Sequence, residues 1–285
     1  MGLHRVCCLG IVSYIWEASV FVQVVREPGI LAVKHIGLLM IREENDILER
    51  TLAHNAEIVD CFYVLDGTVP NDESRAICEA HDKLAGYWTD HEAQCDLRFP
   101  DDPCDGYRQF LLERAYADHG HNNWFLLLHG DEIWTQDVRA FTQSTTSTAT
   151  GFIYQLPFFF PRAGEKWEDE MHPIDQLHWH LGPGWPEVRM FRGGANVRYD
   201  VAQHFSVAPT GINQFDLVTN ANILHYPYRS PEVQRARARE GFDPDNYQHV
   251  IDGDAVYWTD EMISDRMRNP RFSQFGSAIL EAAAV

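Results

Sequence analysis

Asp131 and Glu132 stand side by side after an apolar run at residues 124–128, Trp-Phe-Leu-Leu-Leu, that leads through His129 and Gly130. A continuous apolar run of this length, bounded by turn-formers, predicts a strand buried on both faces. In an open α/β sheet, ligands bind beyond the carboxyl ends of such strands. Adjacent carboxylates at that place offer hard oxygen ligands to a divalent cation. Two more acids fall at matching points: Glu44 just past a predicted strand at 36–41, and Asp66 at the end of one at 58–65. Asp66 suits hydrogen bonds from a nucleoside base or ribose, and Asp131 suits a metal that bridges a diphosphate. Arg189, Arg192 and Arg229 carry the forked donors that meet diphosphate oxygens. His204 and His225 are candidate third metal ligands.

Parallel strands are needed to bring these acids to one edge, and the first half of the chain supplies them. After strand 36–41 comes a helix with Ile47, Leu48 and Leu52 on one side, then strand 58–65. A second helix turns Ala76, Ile77, Ala80 and Leu84 inward, and a short strand at 87–89 follows. Beyond a loop at 90–105 rich in Asp and Pro, a helix opens at Gly106-Tyr107-Arg108 and stops at Gly120. Strand alternating with helix predicts a parallel sheet with right-handed crossovers. No G-x-G-x-x-G or G-x-x-x-x-G-K-[ST] stands at a strand-to-helix turn, which disfavours a dinucleotide fold or a P-loop NTPase.

The texture changes after residue 150. An aromatic strand at 151–161 precedes a loop at 165–185 dense in His, Trp, Gly and Pro. Within it His178, His180 and Trp185 surround glycines at 182 and 184, the composition of a sugar-stacking surface or a mobile lid. Residues 188–192 and 195–199 predict a hairpin around Gly193-Gly194. A last short strand at 223–226 leads to a helix capped by Ser230 with Pro231 at its first position. The organisation expected is an extension at 1–33, a domain at 34–240 with halves 34–134 and 150–240, and a helical or irregular extension at 241–285.

The chain has 285 residues, 45% apolar and 23% charged, with a formal charge of −19. So acidic a surface repels phosphate backbones, so no nucleic-acid partner is expected. It repels a sugar nucleotide equally, so any phosphate site needs a metal or local arginines to reverse the field. None of the six cysteines forms a C-x-x-C pair, which argues against structural zinc; Cys61 and Cys78 are expected as free thiols inside a strand and a helix, and Cys95 and Cys104 as reduced thiols. The apolar run at 6–25 has Glu17 near its middle, which disfavours a membrane span. It lacks an A-x-A cleavage pattern, so a buried or peripheral helix is expected, in a cytoplasmic protein with room for peripheral membrane contact.

The order of these motifs resembles the family 2 glycosyltransferases, which have a GT-A fold. The family's Asn-Glu after the first strand is similar to Arg42-Glu43-Glu44-Asn45, and its Asp-Gly turn after the second to Asp66-Gly67-Thr68 with Asp72. Its helix before the metal strand resembles the segment from Gly106 through Arg108 to Arg114, and its Asp-x-Asp-Glu motif resembles His129-Gly130-Asp131-Glu132. In the second half Arg189-Met-Phe-Arg192, Val201-Ala-Gln-His204 and the stretch from His225 through Arg229 to Glu232 match motifs of some members. The resemblance spans roughly residues 35–240. It implies an α/β, GT-A-like fold with a mostly parallel central sheet and an acceptor-side extension.

The implied activity is transfer of a hexosyl group from a UDP-, GDP- or dTDP-linked sugar to a hydroxyl of a glycan, lipid or small molecule. It implies inversion and Mn²⁺ or Mg²⁺ dependence. Glu44, Asp66, Gly106, Arg108, Asp131, Arg192 and Arg229 would bind the donor. His129, Asp131, His204 and His225 would hold the metal. The general base would be one of Asp175, Glu187 and Asp200, which follow the metal motif. The departure is His129 in place of the family's first Asp, a ligand that suits Mn²⁺ better than Mg²⁺. Two other readings stay open: a metal-dependent hydrolase built on His129, Asp131, His178 and His180, and a sugar-nucleotide-binding relative without activity.

Overall fold

The computed structural model describes residues 6–8, 11–16, 19–23, 32–67, 72–93, 103–199, 208–239, 257–268 and 278–281. The chain divides into two units, Met1–Val33 and Lys34–Val285. In the first, β1 (Val6–Cys8), β2 (Ile11–Trp16) and β3 (Ser19–Gln23) pair antiparallel in chain order. The helix expected there is not found. Val, Ile, Tyr, Phe and Trp fill much of residues 11–22, and branched and aromatic side chains favour strand. Among the described residues no helix is long and apolar enough to cross a membrane.

The second unit begins with β4 (His35–Ile41), α1 (Asn45–Ala56), β5 (Cys61–Asp66), α2 (Asp72–Glu79) and β6 (Leu84–Thr89). Next come α3 (Asp90–Ala93), α4 (Pro103–His119), β7 (Trp124–His129) and β8 (Glu132–Trp134). Then follow α5 (Val138–Ser144), β9 (Gly151–Phe160), α6 (Pro173–Gln176), β10 (Trp179–Arg192) and β11 (Phe215–His225). The described part ends with α7 (Pro231–Arg239), α8 (Asp260–Arg268) and β12 (Ala278–Glu281). Across the sheet the order is β6-β5-β4-β7-β10-β9-β11-β8, with β12 on β10. β6, β5, β4 and β7 run parallel, the alternating α/β arrangement expected of the first half.

Alternate residues of the parallel strands feed two cores. Leu39, Val64, Leu126 and Leu128 pack with Leu48 and Leu52 of α1. Leu38, Leu65 and Leu127 pack with Leu111 and Ala115 of α4. Both faces are therefore apolar, which is why these strands read as unbroken apolar runs. Gly120, at φ 72°, ends α4 by donating to Tyr116 O at 2.8 Å, as its position in the sequence predicts. Leu84, expected in the second helix, begins β6 instead, and α4 starts at Pro103, three residues before Gly106.

β7 and β8 are separated in the chain by Gly130 and Asp131 alone, yet along the sheet β10, β9 and β11 lie between them. The second half of the sheet therefore curls back on itself, and Asp131 sits at the seam. β8 pairs with β11 on one edge. Side chains of α1 satisfy the other. Asn55 Nδ2 donates to Glu132 O at 2.7 Å and Asn55 Oδ1 accepts from Trp134 N at 3.1 Å. Thr51 Oγ1 donates to Gly130 O at 2.6 Å. Asn55→Leu would leave two buried backbone groups unpaired, at about 1–3 kcal/mol each. A urea titration should show a loss of at least about 2 kcal/mol from those two groups.

The hairpin around Gly193-Gly194 does not form. Residues 188–192 end β10, which pairs with β9 and β7. A Cβ at Gly193 would lie 2.4 Å from His121 O, so this glycine permits a close backbone approach rather than a two-residue turn. Nor is 165–185 all loop. From Trp179 it is strand, with β9 on one edge and β12 on the other. The register shift between Leu181 and Trp185 takes up Gly182-Pro183-Gly184 as an irregularity in the ladder. A strand paired on both edges is not the mobile lid expected of this segment.

Candidate metal and nucleotide site

The parallel register sets Met40 beside His129 and Ile41 beside Asp66, so the three strand ends are level. At the β5 end Asp66 is buried and accepts from Tyr87 Oη. Arg75 lies 4.5 Å above the Tyr87 ring. A Cβ at Gly67 would sit 3.6 Å from the Tyr107 ring, which brings the first turns of α4, with buried Gly106 and Arg108, against this corner.

At the β4 end Glu43 adopts φ 61°, a strained conformation for a side chain with a Cβ. Its carbonyl is held by Arg229 NH2 at 2.7 Å. Glu44 is buried, accepts from Arg42 N, and receives Arg237 NH2 at 2.6 Å. At the seam, Asp131 faces His225 Nε2 at 3.5 Å, Arg237 NH1 at 3.5 Å and Arg229 NH1 at 3.7 Å. Arg229 is fully buried and its Nε meets both oxygens of Asp46, at 2.7 and 2.8 Å.

Glu132 is fully buried. Its Oε1 lies 2.8 Å from Arg189 NH2 and 3.1 Å from His129 Nδ1. Arg189 arrives there through a bulge. Val188 pairs with Ile153 and Met190 with Phe152, so one residue of β10 is left over between them. A bulge re-aims a side chain that strict alternation would send elsewhere. The same guanidinium holds Glu187 at 2.8 Å.

These contacts shift the acids in opposite directions. Burial opposes ionisation of Asp131, but His225, Arg237 and Arg229 together overcome it and hold the carboxyl well below the usual range. Burial likewise opposes Glu132, and Arg189 and His129 bring it down to about 2. For Glu44, burial and the Asp131 charge outweigh Arg237 and Arg229 and push it up to about 8. Stability from Glu132 is thus present above the free value of 4.5 and lost as pH falls from there toward 2. Stability tied to protonated Glu44 is full below 4.5 and lost as pH rises through about 8. Melting curves in EDTA should fall off on both sides, and Glu44→Gln should flatten the alkaline limb.

His129, Asp131 and Glu132 each place one ligand atom within 4.8 Å of the others. Glu132 Oε2 is buried without a hydrogen-bond partner among the described residues, a state that a cation would relieve. One imidazole nitrogen with two carboxylates is a donor set for Mn²⁺ and similar ions. The residues therefore fit a divalent cation.

Of the residues expected from sequence, Glu44, His129, Asp131, His225 and Arg229 come together, and Glu187 adjoins them through Arg189. His225 neighbours Asp131 but stands outside the three-ligand group. Arg192 is a correction. β10 runs antiparallel to β7, so Arg192 pairs with Trp124 at the opposite end of that strand. There it lies 5.4 Å above the Trp124 ring and bonds Asn122. Asp175 is spent on Arg50, at 2.7 Å, with half of its side chain exposed. Asp200 and His204 lie outside the described residues, as does the side chain of Cys104. Arg237 and Asp46 were not anticipated.

No protein-family model and no curated protein matches the chain. Among solved structures, the crystal structure of S. aureus TarS 1-349 is similar at TM-score 0.37 and 12% identity, over 85% of this chain and 74% of that chain.

Proposed function

We propose that the protein is a glycosyltransferase that moves a sugar from a nucleoside-diphosphate donor to an acceptor hydroxyl, with a divalent cation on His129, Asp131 and Glu132. The observation that carries this reading is that ligand group, with a Glu132 oxygen that has no hydrogen-bond partner among the described residues, beside the strand end that carries Asp66 in the parallel half of the sheet. Asp66, which accepts from Tyr87, would meet the nucleoside beside the first turns of α4. A bound cation would neutralise the departing diphosphate. Arg229 and Arg237 keep Asp131 ionised and in place, as positioning residues rather than the diphosphate contacts expected for Arg229, because Arg229 is committed to Asp46 and Glu43. For deprotonation of the acceptor, Glu187 and Asp200 remain once Asp175 is paired with Arg50.

The hydrolase reading loses support, because His178 and His180 are not in the ligand group. The His180 ring is stacked on Phe159, with centroids 5.0 Å apart. A thermal-shift panel of UDP, GDP, CDP and dTDP, each with Mn²⁺, Mg²⁺ or EDTA, tests the proposal. One nucleotide should raise the melting temperature only when a metal is present. No shift with any of the four would remove the nucleotide, and with it the transferase reading.

A further inference from the structure

The cation position of this site already holds a positive charge. Arg189 is 1% exposed, and its NH2 lies 2.8 Å from Glu132 Oε1 and 2.8 Å from Glu187 Oε2. Its NH1 lies 3.2 and 3.4 Å from the two ring nitrogens of His129, so it is aligned with the lone pair of neither. One guanidinium therefore occupies two of the three residues that would ligate a metal. A divalent ion at bonding distance from Glu132 Oε1 and His129 would be pressed against it, and two cations at that range in a buried site repel strongly.

We propose that Arg189 is the resident counter-cation of the metal group, displaced from His129 and Glu132 when a divalent ion binds and retained by Glu187. This rests on the metal assignment above. Three features support the exchange. Glu132 Oε2 has no hydrogen-bond partner among the described residues, so an ion can engage that oxygen while Arg189 still holds Oε1. Glu187 already shares the same NH2 and, at 19% side-chain exposure, is the more accessible of the two acids. Arg189 stands at the β10 bulge, where one residue is in excess of the ladder, so its direction is not locked by alternation. Arg189 would then set the cation affinity, and Glu187 would serve as its second holder rather than as the general base.

The test is a titration of the full chain with Mn²⁺, with free ion read by electron paramagnetic resonance. Arg189→Gln should bind Mn²⁺ at least about tenfold more tightly than wild type, and Glu187→Gln several-fold more weakly, because the displaced guanidinium loses its holder. Equal or weaker binding by a folded Arg189→Gln, with Mn²⁺ still bound by wild type, overturns the exchange and leaves the metal site intact. If Arg189→Gln does not fold, Glu187→Gln decides alone: unchanged affinity overturns the proposal. No Mn²⁺ binding by any form removes the metal site itself and the exchange with it.

Discussion

Asp131→Asn is expected to cut turnover by about a thousandfold or more, an effect on the order of 4 kcal/mol in barrier. It should also abolish the metal-dependent part of any nucleotide shift. The amide keeps the shape of the side chain but loses the negative charge that faces His225, Arg229 and Arg237. It also loses one of the two carboxylates of the ligand group. The fold should survive, because Arg229 keeps Asp46 and Arg237 keeps Glu44. Removing the Asp131 charge also removes one of the two causes that hold Glu44 protonated, so Glu44 can ionise and restore part of the lost charge. Steady-state kinetics at saturating donor and Mn²⁺, beside a melting curve, separate the two effects. A variant that melts near wild type and turns over normally would exclude Asp131 from the chemistry.

Arg229→Leu carries the largest expected loss of stability. Arg229 is fully buried and donates to both oxygens of Asp46, to Glu43 O at 2.7 Å and to Tyr226 O at 3.4 Å. Removing one partner of a buried ion pair costs about 3–5 kcal/mol, because the other charge is left without compensation. Here Asp131 and Glu44 would also lose a cation they share, and the strained Glu43 would lose the bond to its carbonyl. A drop in melting temperature of roughly 10 °C is expected for a domain of this size. Arg192→Leu is the control. It sits at the far end of β10 over Trp124, and its loss should change stability by about 1 kcal/mol or less. Equal effects of the two would refute the buried network.

The contrast between Arg229 and Arg192 marks where sequence reasoning runs out. The parallel half was legible because β4, β5 and β7 are buried on both faces, and only apolar side chains suit that environment. Their acids could be located because a strand has a definite carboxyl end. The second half depends on pairings between distant segments, and register is invisible in a local window. Arg189 and Arg192 belong to one short motif, yet a bulge sends Arg189 to Glu132 while the antiparallel register carries Arg192 to the other end of β7. Arg237 was hidden for another reason. It lies in the run Gln234-Arg-Ala-Arg-Ala-Arg239, which reads as a solvated basic helix face. Its signal was the spacing to Gln234, one helical turn away and also buried. Asn55 gave no signal at all. A polar residue that completes a strand edge looks in sequence like any other on a helix.

The proposed chemistry is tested most directly by incubating the protein with Mn²⁺ and UDP-, GDP- and dTDP-linked sugars without acceptor, and measuring the released nucleoside diphosphate. Slow release from one donor, stopped by EDTA and absent in Asp131→Asn, is the predicted result, with water standing in for the acceptor. Release from none of them, by a protein whose melting temperature the matching nucleotide does raise, would contradict transferase activity and leave a sugar-nucleotide-binding protein.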